Sequence, residues 1–393
     1  MLRNILKGFI NVPKSEFNLA RFSSFRTLNQ KENQQQKENV RPNYENRQRN
    51  LDLAFETNAI LSTYPEIHEE LINEQLIYHQ NYPDLKLRFS KLLDHHLKLD
   101  PKYLARAIFM VHAYRLLEKP SVLNQSNLKN AYVLGWCHKM HDASLLLDDD
   151  IADAADTRYN KPTWHTLPDV GVNQAILDAA FLETGANILI LNHLSSHPQC
   201  INILKSILKS FSITNVAQIF ELQQFKMEEV EKYQNFIKFY HYNLPLIKSA
   251  LYLANIDDES IHAIAEEICL EIAVFHKIHD DVTCVFSPFS DIQKSCTDIS
   301  EGRPTWLAVE AYKRGNQEQR KILENHYGVN NKASVAEVYK VFTQLKLKEA
   351  YDELKEDFYE DMHFKIHNKL PKCIPPKLFI DLLDFVVNDR FKL

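Results

Sequence analysis

The sequence predicts an all-α protein, and three observations carry that expectation. Glycine is scarce, 7 of 393 residues, which leaves few tight turns and no phosphate-cradling glycine loop. From residue 51 onward apolar side chains recur at three- and four-residue spacing, as in Leu104, Ile108, Val111, Tyr114 and Leu117, the period of a helix with one buried face. Prolines punctuate the pattern at Pro83, Pro101, Pro120, from Pro162 to Pro168, and at Pro198, Pro288 and Pro375-Pro376, where helices end or are interrupted. No repeat of fixed period and no shift of composition divides the body, so one domain of about ten helices over residues 51–393 is the simplest account.

Residues 1–27, ahead of that body, carry Arg3, Lys7, Lys14, Arg21 and Arg26 against one acid, Glu16, with Ser23 and Ser24 among large apolar residues. That composition reads as a mitochondrial targeting segment, with the cytoplasm as the other location. Residues 28–50 are rich in Asn, Gln, Lys and Glu, cannot bury a core, and read as a disordered polar linker.

Charge and cysteine usage narrow the function classes. A net charge of −6 and no basic stripe interleaved with aromatics argue against nucleic acid as a partner. No uninterrupted apolar run reaches the roughly 18 residues that an integral membrane span requires. The six cysteines, Cys137, Cys200, Cys269, Cys284, Cys296 and Cys373, are scattered without a CxxC pair, which predicts reduced thiols and gives zinc no support.

Two segments carry chemistry. Asp148, Asp149, Asp150, Asp153 and Asp156 follow an apolar run that begins at Leu145. On a helix Asp149 and Asp153 share a face at i and i+4, with Asp150 at i, i+3 from Asp153. Each like-charge pair costs about 0.2–0.5 kcal/mol, which a divalent cation offsets. Hard oxygen ligands that leave coordination positions open suit Mg²⁺ bridging to substrate phosphates. By itself the segment is also compatible with a solvated acidic helix end. Asp280-Asp281 closes a second apolar-faced run from Leu270, and two such ends facing one another in a bundle can hold metals between them.

Taken in order, these residues resemble the trans-isoprenyl diphosphate synthases, most closely the farnesyl diphosphate synthases. Asp149-Asp150-Ile151-Ala152-Asp153 fits the family's first DDxxD motif, preceded by Trp136-Cys137 and followed by Thr157-Arg158, Trp164, Gly171 and Leu182-Glu183. Leu244-Pro245 fits the central helix, Asp280-Asp281 the second aspartate motif, and Lys294, Thr297-Asp298-Ile299 and Trp306-Leu307 the segment after it. The resemblance implies an isoprenoid synthase-type helical bundle around a central cavity. It implies three Mg²⁺ ions on Asp149, Asp150, Asp153, Asp280 and Asp281. Arg158, Lys294 and Arg303 stand where the family grips an allylic diphosphate, and Arg106 aligns with an arginine of the second-substrate pocket. Asp149, Asp153, Arg158 and Lys294 are the expected catalytic set. A homodimer is implied by the family alone.

Several positions depart from the family's pattern. Tyr103 stands at a lysine position with Lys102 one residue off, Ala105 at a polar one, and Tyr159 replaces the second arginine of a pair. Asp142 replaces a glutamine and is expected to repel a second diphosphate. Cys284 replaces the third aspartate of the second motif and reads as a packed small hydrophobe. Phe236-Ile237 replace a lysine-threonine pair, and Lys277 a glutamine. From these changes we expect a Mg²⁺-dependent class I terpene synthase, like insect terpene synthases derived from isoprenyl diphosphate synthases, that ionises farnesyl diphosphate and releases a sesquiterpene. Phe236, Phe239, Tyr240, Tyr242 and Phe275 would face the cation, with Phe236 and Tyr240 touching substrate. Ser144 and Leu145 would set the room for its chain. The alternatives are a prenyltransferase that condenses isopentenyl diphosphate with an allylic diphosphate, and an inactive regulatory subunit.

Overall fold

Helices form where the three- and four-residue spacing predicts them. The computed structural model describes residues 53–75, 82–98, 101–222, 233, 237–241, 243–288 and 296–387. The expected targeting segment and linker, Phe236, Tyr242, Lys294 and the side chain of Lys102 lie outside the described residues. Within them are fourteen α-helices and one two-stranded hairpin, more helices than the proline breaks alone mark.

The first eight are α1 (Leu53–Gln75), α2 (Pro83–Leu97), α3 (Ala105–Leu117), α4 (Gln125–Ala152), α5 (Gly171–Leu194), α6 (Cys200–Glu221), α7 (Leu244–Leu253) and α8 (Glu259–Phe286). The short α9 (Asp298–Glu301) leads to α10 (Trp306–Arg314), α11 (Gln317–His326), α12 (Lys332–Gln344), α13 (Leu347–Lys369) and α14 (Lys377–Val387). Pro83 and Pro245 sit in the first turns of α2 and α7, where the missing N–H costs nothing. Asn124 caps α4 by accepting from the Asn127 N–H at 3.0 Å, and Asp258 caps α8 through the Ser260 and Ile261 N–H groups, each satisfying donors that a helix start leaves over.

At the centre lies α4, with α3 and α5 packed on either side. Buried residues run along it from Ala131 to Asp150 on more than one face, so it lacks the polar stripe of a surface helix. Opposite, α8 packs against α7, α10, α13 and α14. The two acidic segments therefore sit on the two central helices, and the bundle that the resemblance implies is the architecture observed.

Among the described helices, α5 is the one long and apolar enough by length and composition to cross a membrane. Its inner face packs in the bundle and carries a buried carboxylate, Asp178. Arg88 donates to it from Nη1 and Nη2 at 2.7 Å each, and Trp164 donates through Nε1 at 2.8 Å. A bidentate guanidinium and an indole satisfy this carboxylate inside protein, as befits a bundle helix.

The cysteines correct one expectation. Cys284 and Cys296 are joined as a disulfide with Cα atoms 5.5 Å apart, while Cys137, Cys200, Cys269 and Cys373 are free. The pairing arises because the chain returns beside the last turns of α8 before α9 begins. That proximity is tertiary, and sequence spacing carries no trace of it.

Asp178 ties α2, α5 and Trp164 together, so Asp178→Ala should cost about 2–3 kcal/mol, because it strands a guanidinium and an indole N–H. Urea denaturation measures this, and a loss below about 0.5 kcal/mol, the range of an ordinary surface substitution, would refute it.

Candidate active site

The first acidic helix end folds as the spacing predicts. α4 ends at Ala152, and Asp153 closes it with its N–H donating to the Asp149 carbonyl at 2.9 Å, so the two carboxylates stand one turn apart. Ala154 then takes a positive φ of 47° and the chain reverses. Strands β1 (Thr157–Arg158) and β2 (Lys161–Pro162) pair antiparallel, joined by Tyr159 and Asn160 at φ of 56° and 58°. Two successive left-handed residues are the requirement of a type I′ hairpin turn, costly for a tyrosine. The turn folds Arg158 back onto the helix it has just left. Arg158 Nε donates to Asp150 at 2.6 Å and Nη2 to Asp149 at 2.8 Å.

Two further elements complete this end. Gln218 of α6 donates through Nε2 to Asp149 at 3.0 Å. Arg303, just past α9, bonds Asp153, reaches Glu301 at 2.9 Å and donates to the Glu221 carbonyl at 3.0 Å. Even so, burial, with the charge of Asp149 next, pushes the Asp153 carboxyl up to about 7 against the opposing pull of Arg303. Burial and the neighbours Glu183 and Asp149 raise Asp148 to about 6. This end holds more negative charge than its cations offset.

The second end differs from the sequence expectation, because α8 does not stop at the carboxylates but continues to Phe286. Asp280 lines the cavity, whereas Asp281 points into the core. It accepts from Tyr233 Oη at 3.0 Å and from the Trp306 N–H, at the start of α10, at 2.8 Å. Burial lifts its carboxyl to about 7, with Lys277 working against the rise. Lys277 Nζ lies 3.2 Å from Asp281, 2.7 Å from Glu221 of α6 and 5.3 Å from the centre of the Tyr240 ring. The metal assignment is thus divided: Asp149, Asp153 and Asp280 face one cavity, while Asp150 is pinned by Arg158 and Asp281 braces α8 against α10.

The cavity measures about 400 Å³, within the range of small-molecule sites. Its acidic mouth also carries Arg158, Lys277 and Arg303, and its deeper wall is made by Leu145 and Leu146 of α4 with Ile207 and Phe211 of α6. Ser144 is turned away, its hydroxyl donating to the Ala179 carbonyl at 2.9 Å. The expected aromatic lining is corrected. Phe275 is core, stacked on Phe358 at 4.3 Å, Phe239 lies on Phe220 at 5.9 Å, and Tyr240 is buried beneath Lys277. None of them lines the cavity, so the substrate contact expected of Tyr240 is not made by its ring. The aromatic wall that sequence reasoning missed is Phe211, packed on the His141 ring at 5.6 Å. Burial holds His141 down at about 4 and His138 well below the usual histidine range, so these cavity imidazoles are neutral at pH 7.

The far side of the cavity holds Arg106 and Asp142. Arg106 Nε stands 3.6 Å from Asp142, and buried Lys139 donates to the same carboxylate at 3.3 Å. Burial favours protonating Asp142, but Lys139 and Arg106 outweigh it and hold the carboxyl below its ordinary value. Lys139 lies 5.7 Å from the centre of the Tyr159 ring, which meets the Tyr103 ring tilted by 34° with centroids 3.9 Å apart. The expectation of a bare repulsive anion is corrected: Asp142 is enclosed by two cations, and the trio keeps one net positive charge. Lys139 was missed because it matches no motif, although its i, i+3 spacing to Asp142 is visible in the sequence.

A sequence model of the polyprenyl synthetase family matches residues 87–345, and the chain belongs to that family. It is 30% identical over 331 residues to the farnesyl pyrophosphate synthase of Homo sapiens, covering 81% of this chain and 78% of that one. To the enzyme of the same name from Murgantia histrionica it is 28% identical, covering 82% and 80%. To the geranyl diphosphate synthase of Ips pini it is 25% identical, covering 81% and 79%. The fold matches a T. brucei farnesyl diphosphate synthase solved with a bisphosphonate, at a TM-score of 0.78 and 23% identity over 84% of this chain and 99% of that one. These relatives overturn the expectation of a terpene synthase releasing a sesquiterpene. They are named as diphosphate synthases, and the backing goes to the prenyltransferase alternative.

The donor set fits Mg²⁺: Asp149, Asp153 and Asp280 are hard oxygen donors around one cavity, and the raised Asp153 marks negative charge awaiting a cation. The sign of its pH dependence follows. A carboxyl raised from 3.8 to about 7 binds a proton that the unfolded chain has lost, so its contribution to stability is present below about pH 4 and disappears as pH rises through about 7. Metal binding at pH 6 should then release about one proton. Calorimetric Mg²⁺ titration in buffers of different ionisation enthalpy reads that release, and an identical heat in every buffer would refute it.

Proposed function

We propose that this protein is an isoprenyl diphosphate synthase, a prenyltransferase that joins isopentenyl diphosphate to an allylic diphosphate and releases inorganic diphosphate. The observation that carries this reading is the presence of two cationic subsites on one cavity. Arg158, Lys277 and Arg303 line it among the carboxylates, and Arg106 lines it beside Asp142, a carboxylate that the buried Lys139 holds from outside the cavity. A terminal allylic diphosphate needs the first, and a second diphosphate has a use for the other. The names of the relatives support the same reading.

Asp149, Asp153 and Asp280 would hold Mg²⁺, in the count of three that the resemblance implies, and the bound metal supplies charge neutralisation to a departing diphosphate. Arg158 and Arg303 grip the diphosphate oxygens with forked donors as the allylic carbon–oxygen bond breaks and its electron pair leaves with the diphosphate. Leu145, Leu146, Ile207 and Phe211 exclude water from the allylic chain and hold it extended. Arg106 orients isopentenyl diphosphate so that its double bond attacks the allylic carbon, while Lys139, buried behind Asp142, holds that carboxylate. Loss of a proton then restores a double bond in the lengthened product. The neutral imidazoles of His138 and His141 add no charge that would compete with the cation.

Incubation with radiolabelled isopentenyl diphosphate, geranyl diphosphate and Mg²⁺ should give a longer labelled allylic diphosphate; label found only in unreacted isopentenyl diphosphate would overturn the reading. Asp149→Asn should lower kcat by about 10²–10³-fold, since several kcal/mol of charge stabilisation pass through the metal. Arg106→Ala should raise KM for isopentenyl diphosphate by about tenfold, with KM for the allylic substrate unchanged. Steady-state kinetics with each substrate varied in turn separates these outcomes.

A further inference from the structure

The disulfide stands where the two acidic ends communicate. Cys284 lies one turn past Asp280 on α8 and lines the cavity. Its partner Cys296 is exposed and immediately precedes Thr297 and Asp298. The two sulfurs and an Asp298 carboxylate oxygen lie within 4.8 Å of one another. From there the chain is tightly bonded: the Glu301 N–H donates to the Thr297 carbonyl at 2.9 Å, and the Arg303 N–H to the Asp298 carbonyl at 2.9 Å. Gly302 between them takes a positive φ of 70°, the ordinary end of a short helix. Arg303 then reaches across to Asp153. One covalent bond thus fastens to the Asp280 helix the segment that carries a guanidinium to the Asp153 helix. The far side of that segment is held by Tyr327 Oη, which donates to the Arg303 carbonyl at 2.6 Å.

We propose that Cys284 and Cys296 are a reversible dithiol–disulfide site whose oxidised form holds Arg303 in position to grip the diphosphate of the allylic substrate; the identity of that substrate rests on the prenyltransferase reading. Exposure of one sulfur is what makes the bond exchangeable, because attack requires access and exposed disulfides are the labile ones. The reactant class is a low-molecular-weight thiol. A dithiol reagent attacks Cys296 Sγ through its thiolate, the sulfur–sulfur bond breaks, and its electron pair leaves on Cys284 Sγ, which takes up a proton. The second thiol of the reagent resolves the mixed disulfide and frees Cys296. The protein gains two electrons and two protons, and the reagent departs as its cyclic disulfide. Oxidised glutathione drives the reverse, forming the protein disulfide and two molecules of reduced glutathione. With the bond open, Asp280 keeps its place on α8, while the start of the Arg303 segment loses its covalent tether to that helix.

The test uses the full chain, equilibrated in glutathione buffers of graded potential, alkylated and read by peptide mass. Cys284 and Cys296 should change together as a two-electron couple. Both remaining alkylatable in the most oxidising buffer would overturn the proposal. Steady-state kinetics should show KM for the allylic diphosphate about tenfold higher in the reduced protein, the loss of one well-placed charge-assisted contact, with KM for isopentenyl diphosphate unchanged. Cys296→Ser should behave as the reduced protein in every buffer, while Cys373→Ser keeps the full response. Equal KM in both states would overturn the proposal even if the bond forms. Should no chain lengthening occur in either state, the prenyltransferase reading fails separately. Calorimetric binding of inorganic diphosphate with Mg²⁺ then reads the Arg303 grip: tenfold weaker binding on reduction supports the proposal, and equal binding overturns it.

Discussion

The structure is organised around carboxylates that two central helices bring into one cavity. Two like charges about 4 Å apart cost roughly 4 kcal/mol at an effective dielectric constant near 20, and the site holds several. Three cations bridge most of these groups. Arg158 returns from the hairpin to Asp149 and Asp150, Arg303 crosses from beyond α9 to Asp153, and Lys277 joins Asp281 of its own helix to Glu221 of α6. These bridges cross-brace the bundle. They also leave cations standing where an anionic substrate is to arrive, so the arrangement that makes the empty protein tolerable is the one that prepares it to bind.

The paired aspartates divide their labour for a geometric reason. Adjacent residues on a helix point about 100° apart, so the two carboxylates of each pair meet different surroundings. In each pair the first lines the cavity and the second is the more deeply buried, although Asp149 is also held by Arg158 and Gln218. Asp150 is pinned by Arg158, and Asp281 by Tyr233 and the first N–H of α10. The more buried member orients the helix end that presents its neighbour. A carboxyl raised to about 7 in the core is a cost to stability, and it persists because Asp281 joins three elements at once.

The fold was legible because its signals are local: three- and four-residue spacing, scarce glycine and capping residues are all contained in short windows. Asp149, Asp153, Asp280, Arg158 and Arg303 were legible as motifs and are gathered around one site. What escaped is tertiary. Phe275 and Tyr240 are near the second motif or the central helix in sequence, yet the helix period turns Phe275 into the core and Tyr240, in the irregular segment before α7, is buried beneath Lys277, while Phe211 carries no motif and lines the cavity. The disulfide joins residues 12 apart whose proximity depends on where α9 starts. Asp142 was misjudged because a substitution read against a family shows the partner that is lost and hides the partner gained. Its new neighbours, Lys139 and Arg106, decide its charge state.

On the prenyltransferase reading, that local exchange bears on how a second-substrate pocket would survive the departures. Asp142 competes for Arg106, which a second diphosphate would use, and Tyr103 and Tyr159 supply a tilted ring contact in place of charged ones. A hydrogen bond to a charged group contributes about 1.5–3 kcal/mol, and each 1.4 kcal/mol is about tenfold in affinity. One or two weakened contacts therefore reduce affinity by tens to hundreds, while the trio's remaining positive charge still draws an anion. Arg106 Nε and Asp142 stand 3.6 Å apart, a looser pairing than the contacts of 2.6 and 2.8 Å that Arg158 makes. On the prenyltransferase reading the changes around Asp142 would act on how tightly isopentenyl diphosphate is held, while Asp149, Asp153 and Arg158 stay together at the other motif.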